Sequence, residues 1–208
     1  MKLVIFGATG SVGKELVKQS LFNGHTITAF VRDPAKLEHL RNERLTIYMG
    51  DVRKPEEVEN AITGHDAVLC ALGDGNAGKI RAVGTSNIIE AMKSSGIRRL
   101  VCQTTLGMGE SYGNLNFIWK HIMFGMLLRK AFKDHNLQEN YVLKSGLDYT
   151  LVRPAALMDG ALTNSYKIGF DGKYKALSLK ISKADVADFM IRQLLDKAYV
   201  RKAVSISN

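Results

Sequence analysis

A chain of 208 residues is long enough for one well-cored domain but too short for two full ones. Its apolar fraction of 46%, charged fraction of 24% and three prolines exclude a disordered or low-complexity polymer, and no apolar run reaches the length of a membrane span. The formal charge of +9 favours anionic small-molecule ligands. Nucleic acid is set aside, because the cations are spread along the whole chain without a helix-turn-helix, zinc-finger or RNP-like pattern.

Taken in chain order, the apolar run Leu3-Val-Ile-Phe6 predicts a strand at the very start, with no basic leader before it, so a cytoplasmic location is expected. Gly7-Ala-Thr-Gly10-Ser-Val-Gly13 follows at once and leads into a helical pattern over 11–22. Glycine-rich turns between a strand and a helix hold dinucleotides. The first glycine turns the chain out of the strand, the second admits a diphosphate to the backbone, and the third lets the helix pack close to the sheet. The free N–H groups at the helix start then bind the phosphates.

Further strands are expected at 26–31, 45–49, 67–71, 100–104, 149–152 and 203–206. Helices are expected at 55–62, 80–94, 116–144 and 182–195. Such alternation predicts a doubly wound α/β fold of Rossmann type, with a parallel sheet, helices on both faces and ligands at the carboxyl ends of the strands. The whole chain, 1–208, is read as one NAD(P)-binding domain with a small C-terminal substrate lobe. Its substrate wall is drawn from about 106–140 and 155–180.

After the second strand comes Arg32-Asp-Pro-Ala-Lys36. An acidic residue there bonds both ribose hydroxyls of NAD, whereas a cation accepts the 2′-phosphate of NADP. Arg32, with its planar fork, and Lys36 point to NADP(H); the alternative is that both are solvated and Asp33 is the ribose ligand. Asp51, in Gly50-Asp-Val52, is either an acceptor for the adenine amino group or a turn residue. Leu72-Gly73, in the turn after the fourth strand, lets the backbone pass a cofactor. Cys70 and Cys102 fall in neighbouring strand-like runs and read as reduced core thiols, and no metal-ligand spacing exists.

The expected helix over 116–144 is dense in large apolar and basic side chains, among them Phe117, Trp119, Lys120, His121, Phe124, Met126 and Phe132. Three readings stand: core packing, a lid over the substrate pocket, or an interface to a second subunit or a membrane surface. Lys120 and His121 are its candidate ligand contacts. His135 and Glu139, four apart, share a helix face, where they form either a proton relay or a tie to the sheet. The Tyr-x-x-x-Lys pair of alcohol-oxidising dehydrogenases is absent, since Asn116 follows Tyr112 at that spacing and Ser145 follows Tyr141.

The segments Ile5-Phe-Gly-Ala-Thr-Gly10, Val31-Arg-Asp-Pro-Ala-Lys-Leu37, Gly50-Asp-Val52 and Ile181-Ser-Lys-Ala-Asp-Val-Ala-Asp-Phe-Met190, with others between them, resemble the atypical short-chain dehydrogenase/reductases, and among them the biliverdin-IXβ reductase or flavin reductase group. The resemblance spans nearly the whole chain. It implies NADPH-dependent hydride transfer to an extended conjugated acceptor, a flavin or a linear tetrapyrrole; a monomer or weak dimer is expected.

Residue by residue, the resemblance implies cofactor contacts at Gly7, Thr9, Gly10, Ser11, Val12, Arg32, Lys36, Asp51, Val52, Leu72, Gly73, Gln103, Thr104, Pro154, Ala155 and Ala156. It puts the Thr105 hydroxyl near the nicotinamide and makes His135 a pocket residue; with Lys120 these are the candidate catalytic residues. Ala156 stands where that group has a histidine. The form Arg153-Pro154-Ala155 instead resembles the wider NAD(P)H-binding group of quinone reductases and NmrA-like redox sensors. A non-catalytic NADP(H) sensor or assembly factor, or a quinone reductase, is therefore the alternative.

Overall fold

The computed structural model describes residues 1–40 and 42–208. Strand β1 (Lys2–Phe6) is central to an eight-stranded sheet and pairs in parallel with β2 (Thr26–Val31) on one side and β4 (Ala67–Cys70) on the other. Outward from these lie β3 (Leu45–Met49), β5 (Arg99–Gln103), β6 (Asp148–Pro154) and β10 (Lys202–Ser207), giving the order β3-β2-β1-β4-β5-β6-β10. This is the Rossmann-type arrangement expected from the strand-helix alternation. Strand direction reverses only at β8 (Lys167–Ile168), which pairs antiparallel with β10.

Alternate residues of β1 serve two cores, as the period of a strand demands. Leu3 and Ile5 pack with α1 (Ser11–Phe22) and α5 (Lys183–Arg192), while Val4 and Phe6 pack beneath α2 (Pro55–Ile62), α3 (Arg81–Ser94) and α4 (Arg129–Leu143). In α1, Val12, Leu16, Val17 and Leu21 form the buried stripe. In α5 the Ser182 hydroxyl accepts from the Asp185 N–H at 2.9 Å, which caps the helix. The Asp185 carboxylate also accepts from the Thr163 and Asn164 N–H groups at 2.8 and 2.9 Å, so one buried acid pins the preceding loop to the helix.

The expected C-terminal lobe is a short ribbon in which β7 (Ala156–Met158) pairs in parallel with β9 (Lys180–Ser182). The long helix expected over 116–144 is two segments. Residues Ile118–Leu127 are wound as a π-helix and end at Leu128, where φ is −109° and ψ 18°, before α4 begins. Apolar residues crowd more than one side of this stretch, and the wider i→i+5 winding brings Trp119, Phe124 and Leu128 together on the inner side. The Trp119 and Phe132 rings each pack tilted against Phe124, at centroid distances of 5.4 and 4.6 Å. Among the described residues no helix is long and apolar enough to cross a membrane.

Candidate active site

The strand order reverses direction of winding between β1 and β4, and a cleft of about 640 Å³ opens there along the carboxyl ends of the strands. Gly7, at φ +80°, leaves β1 so tightly that a Cβ on it would lie 2.3 Å from the Ala71 carbonyl oxygen. Its own carbonyl accepts from the Gly10 N–H at 2.8 Å and closes the turn. A Cβ on Gly13 would lie 2.0 Å from that same oxygen, so α1 seats against the turn only because residue 13 has no side chain. α1 starts at Gly10 with no capping side chain and no acid in its first turn. Its leading N–H groups and positive helix end are therefore free for an anion.

Gly7, Thr9, Gly10, Ser11 and Val12 form this part of the cleft, and Val52, Leu72 and Gly73 face it from the neighbouring strand ends. Arg32 lines it from the end of β2, exposed and without an ion pair to another described residue. Asp33 and Lys36 do not line it. The Asp33 carboxylate accepts from the Ala35 N–H at 3.2 Å and pairs with Lys36 at 3.7 Å, so the two are spent on their own turn.

Asp51 also lies off the cleft wall. Its carboxylate accepts from the Arg53 N–H and from the Arg53 guanidinium Nε, each at 3.0 Å, and this partner holds its pKa down at about 2. The turn reading is the one its geometry carries. Arg32 alone among the two expected phosphate cations faces the cavity.

On the far side of the cleft, Gln103 ends β5 and is followed by Thr104 and Thr105, and Pro154 ends β6 and is followed by Ala155 and Ala156. The Gln103 Oε1 is buried with no hydrogen-bond donor among the described residues, an acceptor in want of one. Thr105 donates to the Leu106 carbonyl at 3.3 Å and keeps its hydroxyl on the cleft. The apolar wall is Leu115, Trp119, Phe124, Leu128, Leu157 and Leu179. Lys120 is not part of it; its ammonium sits 5.2 Å from the centroid of the Tyr112 ring. His121 is also outside, its ring tilted against Phe117 with centroids 4.6 Å apart. The winding that turns Trp119 inward carries these two neighbours away from the cavity.

His135 and Glu139 do not bond each other. Glu139 accepts from the Arg153 Nε and Nη2 at 2.9 and 2.7 Å and from the Thr104 hydroxyl at 2.6 Å, with Arg153 reaching Glu110 through Nη1 at 2.6 Å. Sequence reasoning did not pair these groups, because the partners come from three separate elements. Arg81 was missed for the same reason. It faces the cleft at the start of α3, pairs with Asp74 at 2.6 Å, and lies 3.6 Å from Asp134, whose carboxylate accepts from the Arg81 and Ala82 N–H groups. Cys70 and Cys102 are register partners in β4 and β5, both buried and free.

His135 lines the cleft, and its Nδ1 lies 3.1 Å from Gln138 Oε1. Gln138 Nε2 donates to the Thr85 hydroxyl at 3.0 Å, so its oxygen is the acceptor and His135 carries its proton on Nδ1. Burial first, and the nearby Arg81 charge second, push the His135 pKa down to about 3. The ring is neutral at physiological pH and offers Nε2 as an acceptor, not a donor.

This residue has a measurable consequence. The unfolded chain protonates His135 near its ordinary 6.5 while the folded chain resists down to about 3. Between those values the unfolded state holds more protons, so folding stability falls as pH drops. In urea titrations from pH 7 to 4, His135→Gln is expected to flatten that fall relative to the parent protein. Parallel curves would mean that His135 does not titrate with folding.

A protein family described as NAD(P)H-binding matches residues 7–197 of the chain. The chain belongs to the NAD(P)H-binding family. Among this NAD(P)H-binding protein's relatives is an uncharacterised chloroplastic protein of Arabidopsis thaliana, 29% identical over 99% of the chain and 76% of that protein. The photosystem II assembly factor Ycf39 of Synechocystis is 25% identical over 99% of the chain, which spans 62% of Ycf39. Of solved structures, ChuY, an anaerobillin reductase from Escherichia coli O157:H7, superposes with a TM-score of 0.85 at 22% identity, covering 100% of this chain and 97% of ChuY. A short-chain dehydrogenase/reductase from Veillonella parvula in complex with NADP gives 0.81 at 21% identity, covering 100% and 94%. These likenesses are of fold alone.

Proposed function

We propose that the protein is an NADPH-dependent reductase that passes hydride to a planar conjugated acceptor of the flavin, linear tetrapyrrole or quinone type. The observation that carries the reading is the continuity of one cleft, which joins an anion-binding glycine turn and the unpaired Arg32 to a flat apolar wall. In this reading the leading N–H groups of α1 hold the diphosphate, and Arg32 takes the 2′-phosphate by parallel charge-assisted bonds. The orphaned Gln103 oxygen accepts from a hydroxyl or amide of the cofactor, and the Thr105 hydroxyl lies beside the nicotinamide.

NADPH bound there supplies a hydride, and a proton from solvent completes the two-electron reduction of the acceptor. The chain's own part is orientation. Trp119, Phe124 and Leu128 offer stacking surface for a ring system. Of the cleft cations, Arg81 is already paired with Asp74, so the wall selects for a flat ring more than for a charge. Neutral His135 accepts a hydrogen bond from acceptor or cofactor instead of donating a proton.

The test is loss of nicotinamide absorbance with NADPH against FMN, a quinone and biliverdin in parallel, with NADH as control. Turnover with any of the three is expected. Arg32→Asp should weaken NADPH binding by roughly 10- to 100-fold, the worth of a hydrogen bond to a charged group, and leave NADH binding nearly unchanged. Equal losses for both cofactors would sink the 2′-phosphate assignment. A second reading, an NADP(H) sensor or assembly factor like the relative Ycf39, is favoured by His135, which lines the cleft in its neutral form and offers an acceptor there. Tight NADPH binding without turnover on any acceptor is its signature.

A further inference from the structure

The outer side of the segment whose inner side walls the cleft is apolar and open to solvent. Ile118, Ile122 and Met126 are 56%, 43% and 74% exposed, and Phe117 and Leu127 flank them at 70% and 57%. Under i→i+5 winding, residues about four to five apart share a face, so these side chains form one stripe along Ile118–Leu127. Isolated exposed apolar residues need no explanation, but a continuous stripe rimmed by charge does.

The rim is of one sign. Residues 111–133 contain no acidic side chain and carry Lys120, Arg129, Lys130 and Lys133 together with His121. Arg129, Lys130 and Lys133 are exposed at the start of α4, which follows the stripe directly in the chain. The acids that bound the stretch are engaged elsewhere: Glu110 pairs with Arg153, and Asp134 is buried on the N-terminus of α3.

We infer that the stripe over 117–127, with the cations at the start of α4, is a docking surface for an anionic phospholipid bilayer. Amphipathic segments that lie in a membrane interface combine an apolar face with Lys and Arg at its border, and the cations are drawn to anionic headgroups. A bilayer receives protruding side chains without a matching shape. A second copy of the chain meeting the same face would set three exposed cations against three, which opposes a two-fold contact. The attachment is peripheral, in keeping with a segment too short to span.

Co-sedimentation with vesicles tests this directly. The protein is expected to bind vesicles of phosphatidylcholine with phosphatidylglycerol roughly tenfold more strongly than vesicles of phosphatidylcholine alone, and to release as salt is raised. The triple substitution Ile118→Ser, Ile122→Ser, Met126→Ser should abolish binding to the mixed vesicles while thermal melting and NADPH binding stay as in the parent. Lys130→Glu with Lys133→Glu, which touches no apolar residue, should erase the preference for anionic vesicles and serves if the first variant does not fold. Failure of the parent protein to sediment with either vesicle would overturn the proposal. So would a concentration-dependent dimer in sedimentation equilibrium that the triple substitution dissolves.

Discussion

Arg153→Met is expected to lower the unfolding free energy by about 3–5 kcal/mol, the cost of stranding a buried charge. Arg153 is 3% exposed and Glu139 4%, and two parallel hydrogen bonds join them beneath the cleft. For the Arg153 guanidinium, burial favours the neutral form, but the Glu139 carboxylate outweighs it and raises the pKa. Removing the cation leaves Glu139 with the Thr104 hydroxyl as its remaining donor. The loss should then be partly recovered in the double variant Arg153→Met with Glu139→Met, where no charge is left behind. Urea denaturation of the two singles and the double measures it. Single variants within about 1 kcal/mol of the parent would mean that water reaches the pair and the site is not sealed. Thr104 and Pro154 both line the cleft, so the pair also holds its floor in place.

Gly13→Ala is the second large effect. The added methyl would lie 2.0 Å from the Gly7 oxygen and 2.8 Å from the Ala8 Cα, both backbone atoms that no rotamer change can move aside. Helix α1 must lift from the turn. Overpacking of this kind costs about 1–3 kcal/mol in stability. The larger consequence is for ligand binding, because the displaced Gly7 oxygen is the atom that holds Gly10 in the turn. Loss of even one backbone donor to a phosphate is worth about 1.5–3 kcal/mol, so NADPH affinity should fall by at least roughly tenfold. Gly10→Ala gives the comparison. Its methyl would stand 3.1 Å from the same oxygen, a contact that a small shift relieves. Urea denaturation should place Gly13→Ala below Gly10→Ala in stability, and calorimetric titration should show Gly13→Ala binding NADPH at least roughly tenfold more weakly than the parent; parental affinity would show that helix seating does not shape the phosphate site.

These predictions differ in how far the sequence alone foretells them. Gly7, Gly10 and Gly13 lie within one turn, and their spacing between an apolar strand and a helical stripe is a local signal. Arg32 is legible for the same reason, since the end of β2 is fixed by its apolar run. Lys36 and Asp51 shared that logic of position, yet their side chains are drawn to Asp33 and Arg53 close by in the chain. A position near the ligand is read from spacing; the direction of a side chain is decided by competing partners.

The helix over 116–144 shows a second limit. Its apolar residues were countable, but not which of them face the cavity, because a change of winding at Leu128 re-phases the stripe. Strands β7, β8 and β9 are too short for any periodicity to mark them; pairing with β9, β10 and β7, respectively, defines them.

By itself the sequence determined the alternation of strands and helices, the parallel sheet and the glycine turn with its cation, because each is set by neighbours within a few residues. Tertiary structure alone decided the Arg153–Glu139–Thr104 cluster, the Asp134 contact on α3 and the neutral state of His135. Each depends on groups tens of residues apart meeting in a desolvated interior, where burial and a single partner's charge outweigh anything local spacing can express.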